Sequence, residues 1–155
     1  MSYYKFIEEI APKIAEQASR LGYKYPSAII AQACLESNYG KSLLSKKYFN
    51  YFGLKCGSSW KGKSVNLKTK EEYTPGTLTT IRDNFRAYDN MDEGVAGYFK
   101  FIQYKRYANL KTASSPEDYI RKIVADGYCT STKYVNSCIT LIKRYNLTQY
   151  DPKEV

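Results

Sequence analysis

The chain has 155 residues, 43% of them hydrophobic and 15% aromatic, which excludes a disordered polymer and suffices for one domain with a buried core. Its 24 basic and 15 acidic residues leave a formal charge of +9, dispersed with no long block of like charge, so a polyanionic partner fits and a nucleic-acid-binding tail does not. Histidine is absent, which removes Ser-His-Asp and Cys-His catalysis, HExxH metal sites and His-supported zinc sites, and leaves acid–base chemistry to Asp, Glu, Tyr or Lys.

Residues 3–20 read as an amphipathic helix, with Phe6, Ile10, Ile14 and Ala18 at helical spacing. Glu8 and Glu9 stand where a signal peptide needs apolar residues, so no signal peptide is expected. Leu21-Gly22 ends the helix. Pro26-Ser27 opens a second one that runs to about Asn38, with Gly40 as its expected C-cap. A short helix fits within 42–51, and 55–63 is loop-like around the only tryptophan, Trp60. Alternation then places Val65, Leu67, Thr69, Glu71 and Tyr73 on one face of a half-buried strand. Thr74-Pro75-Gly76 makes a turn, and a second strand from Thr77 to about Tyr88 completes a hairpin. Helical period returns over 94–104, with Val95, Tyr98, Phe99 and Ile102 on one face. Ser115 and Pro116 open a helix to about Ala125, and a last helix covers 133–145. No repeat, linker or run of 18 apolar residues interrupts this pattern, so nothing is expected to span a membrane. The expected architecture is α+β: one domain over 1–155, mostly helical, with one β-hairpin between helices. Cys34, Cys56, Cys129 and Cys138 form no CxxC pair, which argues against a zinc or redox motif. Cys34 reads as a free buried thiol, while Cys129 and Cys138 could pair.

Two carboxylates stand out. Glu36 lies at helical spacing from Ile29, Gln32 and Ala33, at the C-terminal end of an apolar helix. Desolvation and the negative end of the helix dipole both disfavour its charge there, and a glutamate kept protonated near neutral pH is a general acid. The plain alternative is a glutamate paired with an arginine or capping a neighbour. Glu71 points by alternation to the side of Val65 and Leu67, whereas Glu72 points away; a bulge before the turn would exchange them. An acid in an apolar setting facing a hairpin carboxylate is the pair that glycoside hydrolysis requires. The 17 tyrosines suit an aromatic groove for a polar ligand, though half-buried packing accounts for many of them.

Six fragments in order carry a resemblance over about residues 5–147: ESNYGKS at 36–42, NYFGLK at 50–55, Trp60-Lys61-Gly62, TKEEY at 69–73, FRAY at 85–88 and GYCTSTKY at 127–134. The chain resembles glycoside hydrolase family 73, the peptidoglycan-cleaving glucosaminidases with a lysozyme-like fold. The resemblance implies endo-β-N-acetylglucosaminidase activity on bacterial peptidoglycan, with no cofactor and no metal. Glu36 falls on the family's E-S-x-x-G acid. The second carboxylate falls on Glu71 if T-x-E is read literally, or on Glu72 if the following tyrosine is the anchor. In that family the second carboxylate attacks, activates water, or orients a 2-acetamido group that assists from the substrate.

Tyr128 and Tyr134 are placed near the cleft to bind the N-acetyl sugar, and Asn50, Phe52, Gly53, Tyr88 and Trp60 are further substrate-binding candidates. The rival readings are a muramidase or lytic transglycosylase on the same polymer, and a non-catalytic wall-binding module. The expected partners are glycan strands and, through charge, anionic wall polymers, for a monomer acting on the cell wall. The expected origin is a phage endolysin, a phage tail component or a fragment of a secreted autolysin.

Overall fold

The spacing of Phe6, Ile10, Ile14 and Ala18 is realised as α1 (Tyr3–Leu21), whose buried face also takes in Ile7 and Ala11. The computed structural model describes residues 3–153. Tyr3 and Leu21 bound the helix, and Gly22, at φ 85°, lets the chain reverse into α2 (Pro26–Ser37). Every residue of α2 from Pro26 to Cys34 is buried, so this helix is apolar all round and forms the centre of the fold. It packs against α1, α5 (Pro116–Ala125), α6 (Tyr134–Arg144) and a 3₁₀ segment at Leu147–Tyr150.

Both ends of α2 are fastened. At its start, the Asp151 carboxylate accepts from the Ser27 N–H at 2.8 Å and the Ser27 hydroxyl at 2.6 Å, which satisfies an orphan donor and sets a negative charge at the positive end of the helix. At its far end Asn38 is the C-cap, at φ 49°, two residues before the Gly40 expected from sequence. Tyr39 and Gly40 continue the left-handed run at φ 57° and 78°. Gly40 serves another purpose, since a Cβ there would stand 2.7 Å from the Phe6 ring. Ser42 then caps the short α3 (Leu43–Tyr48) by accepting from the Ser45 N–H at 3.2 Å.

The hairpin is β1 (Ser64–Thr74) and β2 (Thr77–Arg86), antiparallel, with Val65 opposite Phe85 and Glu71 opposite Thr79. It packs chiefly on itself and projects from the helices. Its base is held by Lys55, which bridges to Phe85, and by Arg86 N–H to the Leu54 carbonyl at 2.9 Å. β2 ends at Arg86, two residues earlier than expected. Helix α4 (Met91–Phe101) starts three residues before the expected Gly94, because Asn90 accepts from the Glu93 N–H at 2.9 Å while Glu93 accepts from the Asn90 amide at 3.2 Å. That reciprocal cap outweighs the apolar period that suggested 94–104. A 3₁₀ segment, Lys105–Thr112, follows where no element was expected. Ser115 and Pro116 open α5 as read from sequence, with Ser115 accepting from the Asp118 N–H at 3.0 Å. Among the described residues, no helix is long and apolar enough to cross a membrane.

One polar chain crosses the core. The Tyr98 hydroxyl, shared with the Tyr119 hydroxyl at 2.6 Å, donates to Gln32 Oε1 at 2.7 Å, and Gln32 Nε2 donates to the Tyr134 hydroxyl at 3.1 Å. Gln32 is fully buried, so its amide is tolerable only with these partners. The variant Gln32→Leu keeps the volume but leaves the Tyr134 hydroxyl without its donor and the Tyr98 hydroxyl with one partner fewer. It is expected to lower the unfolding free energy by about 1–3 kcal/mol, read as a reduced urea midpoint at unchanged m-value.

Candidate active site

Glu36 stands one helical turn after Gln32, on the same flank of α2. The residue keeps an exposed edge, but its carboxyl is enclosed by protein. Burial pushes its pKa up to about 7, the charge of Glu71 adds to the rise, and Lys55 and a hydrogen bond with Tyr134 act against it. The polar chain Tyr119–Tyr98–Gln32–Tyr134 therefore ends on this carboxyl. Gly53 makes the enclosure possible. It sits at φ 66°, and a Cβ there would lie 2.5 Å from Glu36 Oε2, so both backbone and space demand glycine.

Glu71 arrives from the hairpin. The burial of β1 alternates from Ser64 through Glu71, and the ladder slips by one residue between Glu71 and Thr74. The bulge falls after Glu71, so Glu71 faces inward with Val65, Leu67 and Thr69. Tyr73, expected on that same face, is turned out and 62% exposed. Glu71 Oε1 accepts from Lys55 Nζ at 2.5 Å and Oε2 from the Thr130 hydroxyl at 2.8 Å. Glu72 also lines the cleft rim, but its carboxylate is tied into the turn. It accepts from the Gly76 N–H at 3.0 Å and the Thr132 hydroxyl at 2.9 Å, and the Gly76 bond leads the causes that lower its pKa.

Glu36 and Glu71 line one cleft of about 910 Å³ between the hairpin and the helices. Of the candidate binding residues, Tyr128, Tyr134, Phe52 and Gly53 line it too. Tyr128 donates its hydroxyl to the Phe52 carbonyl at 2.8 Å, so its ring serves as a wall.

Asn50, Tyr88 and Trp60 are not brought to the cleft. Asn50 is buried and shapes the loop behind it: its amide donates to the carbonyls of Leu54 and Arg86 at 2.9 and 2.8 Å, and its oxygen accepts from the N–H groups of Phe52 and Leu54. Tyr88 follows the end of β2 and turns toward α4, where a Cβ on Gly97 would meet its hydroxyl at 2.3 Å. Trp60 donates to the Lys63 carbonyl at 2.9 Å and backs the Arg86 guanidinium, 4.6 Å from its ring centre. Lys55 and Thr130, which hold Glu71, were not singled out from sequence. Lys55 closes the NYFGLK fragment and Thr130 lies within GYCTSTKY, but Thr130 is 59 residues from Glu71 and neither fragment shows that it meets that carboxylate. All four cysteines are free thiols, so Cys129 and Cys138, which could have paired, do not.

The sequence matches the family profile described as glucosaminidase, mannosyl-glycoprotein endo-β-N-acetylglucosaminidase, over residues 11–147. The peptidoglycan hydrolase FlgJ of Pseudomonas aeruginosa is 30% identical over 94% of this chain and 37% of its own length. A probable N-acetylmuramidase of Lactococcus lactis is 36% identical over 94% of this chain and 34% of its own. The chain thus spans about a third of the length of these curated relatives. A crystal structure of a peptidoglycan hydrolase mutant from Sphingomonas sp. A1 superposes with a TM-score of 0.81 at 30% identity, covering 94% of this chain and 96% of that one. The fold shared with such neighbours is lysozyme-like.

The enclosure of Glu36 is directly measurable. Carbon-13 NMR of the side-chain carboxyls should show Glu36 titrating near pH 7. In Glu71→Gln, with the neighbouring negative charge removed, its midpoint should move to lower pH.

Proposed function

This chain belongs to the glucosaminidase family, glycoside hydrolase family 73, and we propose that it hydrolyses β-1,4 glycosidic bonds of bacterial peptidoglycan as an endo-β-N-acetylglucosaminidase. The observation that carries this reading is the pairing of unlike carboxyls across one cleft: Glu36, enclosed and half-protonated near neutral pH, and Glu71, bonded to a lysine. Glu36 donates its proton to the glycosidic oxygen as the C1–O bond breaks, so the leaving sugar departs as a neutral alcohol. Positive charge grows at C1 and the ring oxygen, and the negative charge of Glu71 stabilises it. Water completes the reaction at C1, either directly or after the 2-acetamido carbonyl has closed on that carbon. The proton it releases returns to Glu36, which restores the acid. Tyr128, Phe52 and Gly53 wall the cleft on the Glu36 side, and Tyr134 hydrogen-bonds the Glu36 carboxyl.

The family description favours cleavage after N-acetylglucosamine. The name carried by the Lactococcus relative favours the muramidase reading, on the alternate bond of the same polymer. The charge of +9 supports attraction to anionic wall polymers, so lysis should weaken as ionic strength rises. Its site of action is then the cell wall.

Because the acid must be protonated, kcat/KM should fall as pH rises through about 7, the Glu36 value. Glu36→Gln should lose lysis of purified peptidoglycan by about a thousandfold or more while still co-sedimenting with the wall; full lysis by this variant refutes the mechanism. Mass spectrometry of the wild-type digest identifies the bond. A reducing GlcNAc end supports the proposal, a reducing MurNAc end the muramidase, and a 1,6-anhydro end a transglycosylase.

A further inference from the structure

Lys55 is one of the cations that line the cleft, and both its backbone and its ammonium are held. Its backbone bridges to Phe85, its carbonyl accepts from Arg86 Nε at 2.9 Å, and the flanking Cys56 N–H donates to the Asn84 carbonyl at 2.8 Å. From that base its ammonium meets Glu71 Oε1 on β1 at 2.5 Å and Asp83 Oδ2 on β2 at 3.5 Å. The Glu71 side chain is 14% exposed, against 36% for Lys55, so water screens this pair less than it screens an open surface pair. The second oxygen of Glu71 is taken by Thr130, from the segment before α6. Neither oxygen is free of a donor.

We propose that Lys55 is a positioning residue for the reaction: its ammonium and the Thr130 hydroxyl hold both oxygens of Glu71, so that this carboxylate acts as a fixed negative charge and not as a nucleophile. Its part in the reaction rests on Glu36 and Glu71 being the acid and the second carboxylate. Attack on C1 by Glu71 requires an oxygen lone pair aimed at carbon, and forming the ester bond would discharge the carboxylate beside a lysine that remains charged. Holding the charge in place forfeits neither donor and supplies the electrostatic stabilisation at no reorganisation. Bond breaking then proceeds as described above, with the 2-acetamido oxygen or water forming the new bond to C1.

Lys55 also reaches Glu36 through its charge. The groups facing Glu36 are Glu71 from β1, Lys55 from the segment before β1, Tyr128 and Cys129 from the turn before α6, and Tyr134 and Cys138 from α6. Lys55 is the one cation among them, and it favours the ionised form of Glu36.

The test uses soluble glycan strands, stripped of peptide, as substrate. Lys55→Met should lower kcat about 10- to 100-fold with KM nearly unchanged, and the alkaline limb of the pH profile should move to higher pH because Glu36 loses its cation. Lys55→Arg should restore most of kcat and the original limb. Thr130→Val, at an exposed site, removes the hydroxyl's bond to Glu71 and the one it accepts from the Glu72 N–H without removing charge, so kcat should fall while the limb stays in place. Thr130→Val keeps the test alive if Lys55→Met proves unfolded by circular dichroism. Wild-type kcat in the folded Lys55→Met and in Thr130→Val, or a loss confined to KM with an unmoved limb, overturns the positioning role. A glycosyl ester on Glu71, caught by rapid quenching and intact-protein mass spectrometry, overturns the fixed-charge role. Glu36→Gln run alongside separates the two levels: activity surviving in it removes the underlying reaction, whereas its loss beside a Lys55→Met enzyme of wild-type kcat and pH profile removes the inference about Lys55 alone.

Discussion

Keeping one carboxyl away from water, at the last turn of α2, is the constraint around which the cleft is arranged. Enclosure and the charge of Glu71 penalise the ionised form by more than Lys55 and Tyr134 offset, so the carboxyl binds a proton near neutral pH. That enclosure needs a helix apolar enough to be central, which α2 is from Pro26 to Cys34. It needs a neighbour with no side chain, Gly53, and a hydroxyl to hold the carboxyl in place, Tyr134. Tyr134 is itself fixed by Gln32, and Gln32 by Tyr98, so the orientation of a cleft group is set by residues inside the core.

The facing carboxylate is built in the opposite way. Glu71 comes from a hairpin that makes few contacts with the helices, and it is fixed by ionic and hydroxyl partners from two other segments. One group is placed by packing and the other by charge. Burial favours the protonated form of Glu36, while a lysine and a hydroxyl hold Glu71, and such unlike surroundings suit the division of labour that acid catalysis across a cleft requires.

Much of this was legible in the sequence, for reasons that also mark the boundary. Periodicity gave α1, α2, both strands and α6 to within a few residues, because each buries one face, or in α2 all faces. It misplaced α4, where the Asn90–Glu93 cap overrides the apolar spacing, and it could not show the 3₁₀ segment at Lys105–Thr112, which has little period to read. Alternation pointed Glu71 inward, but the position of the bulge, which also turned Tyr73 outward, is a pairing property that no single strand encodes. Fragment adjacency suggested Asn50, Trp60 and Tyr88, yet a residue that backs a wall and one that forms it look alike in one dimension. Asn50 is the clearest case: its four hydrogen bonds to backbone groups shape the loop that carries Phe52 and Gly53. The Lys55–Glu71–Thr130 cluster joins three segments, and only the folded chain brings them together.

The cap at the start of α2 has a consequence in the order in which the chain is made. Ser27 and Asp151 are 124 residues apart, so the anion that completes the first turn of the central helix is synthesised long after the helix itself. Closing so long a loop comes late for entropic reasons as well. The helix that carries Glu36 therefore lacks this cap until the segment after α6 has been made, and the cleft gains its final support only then.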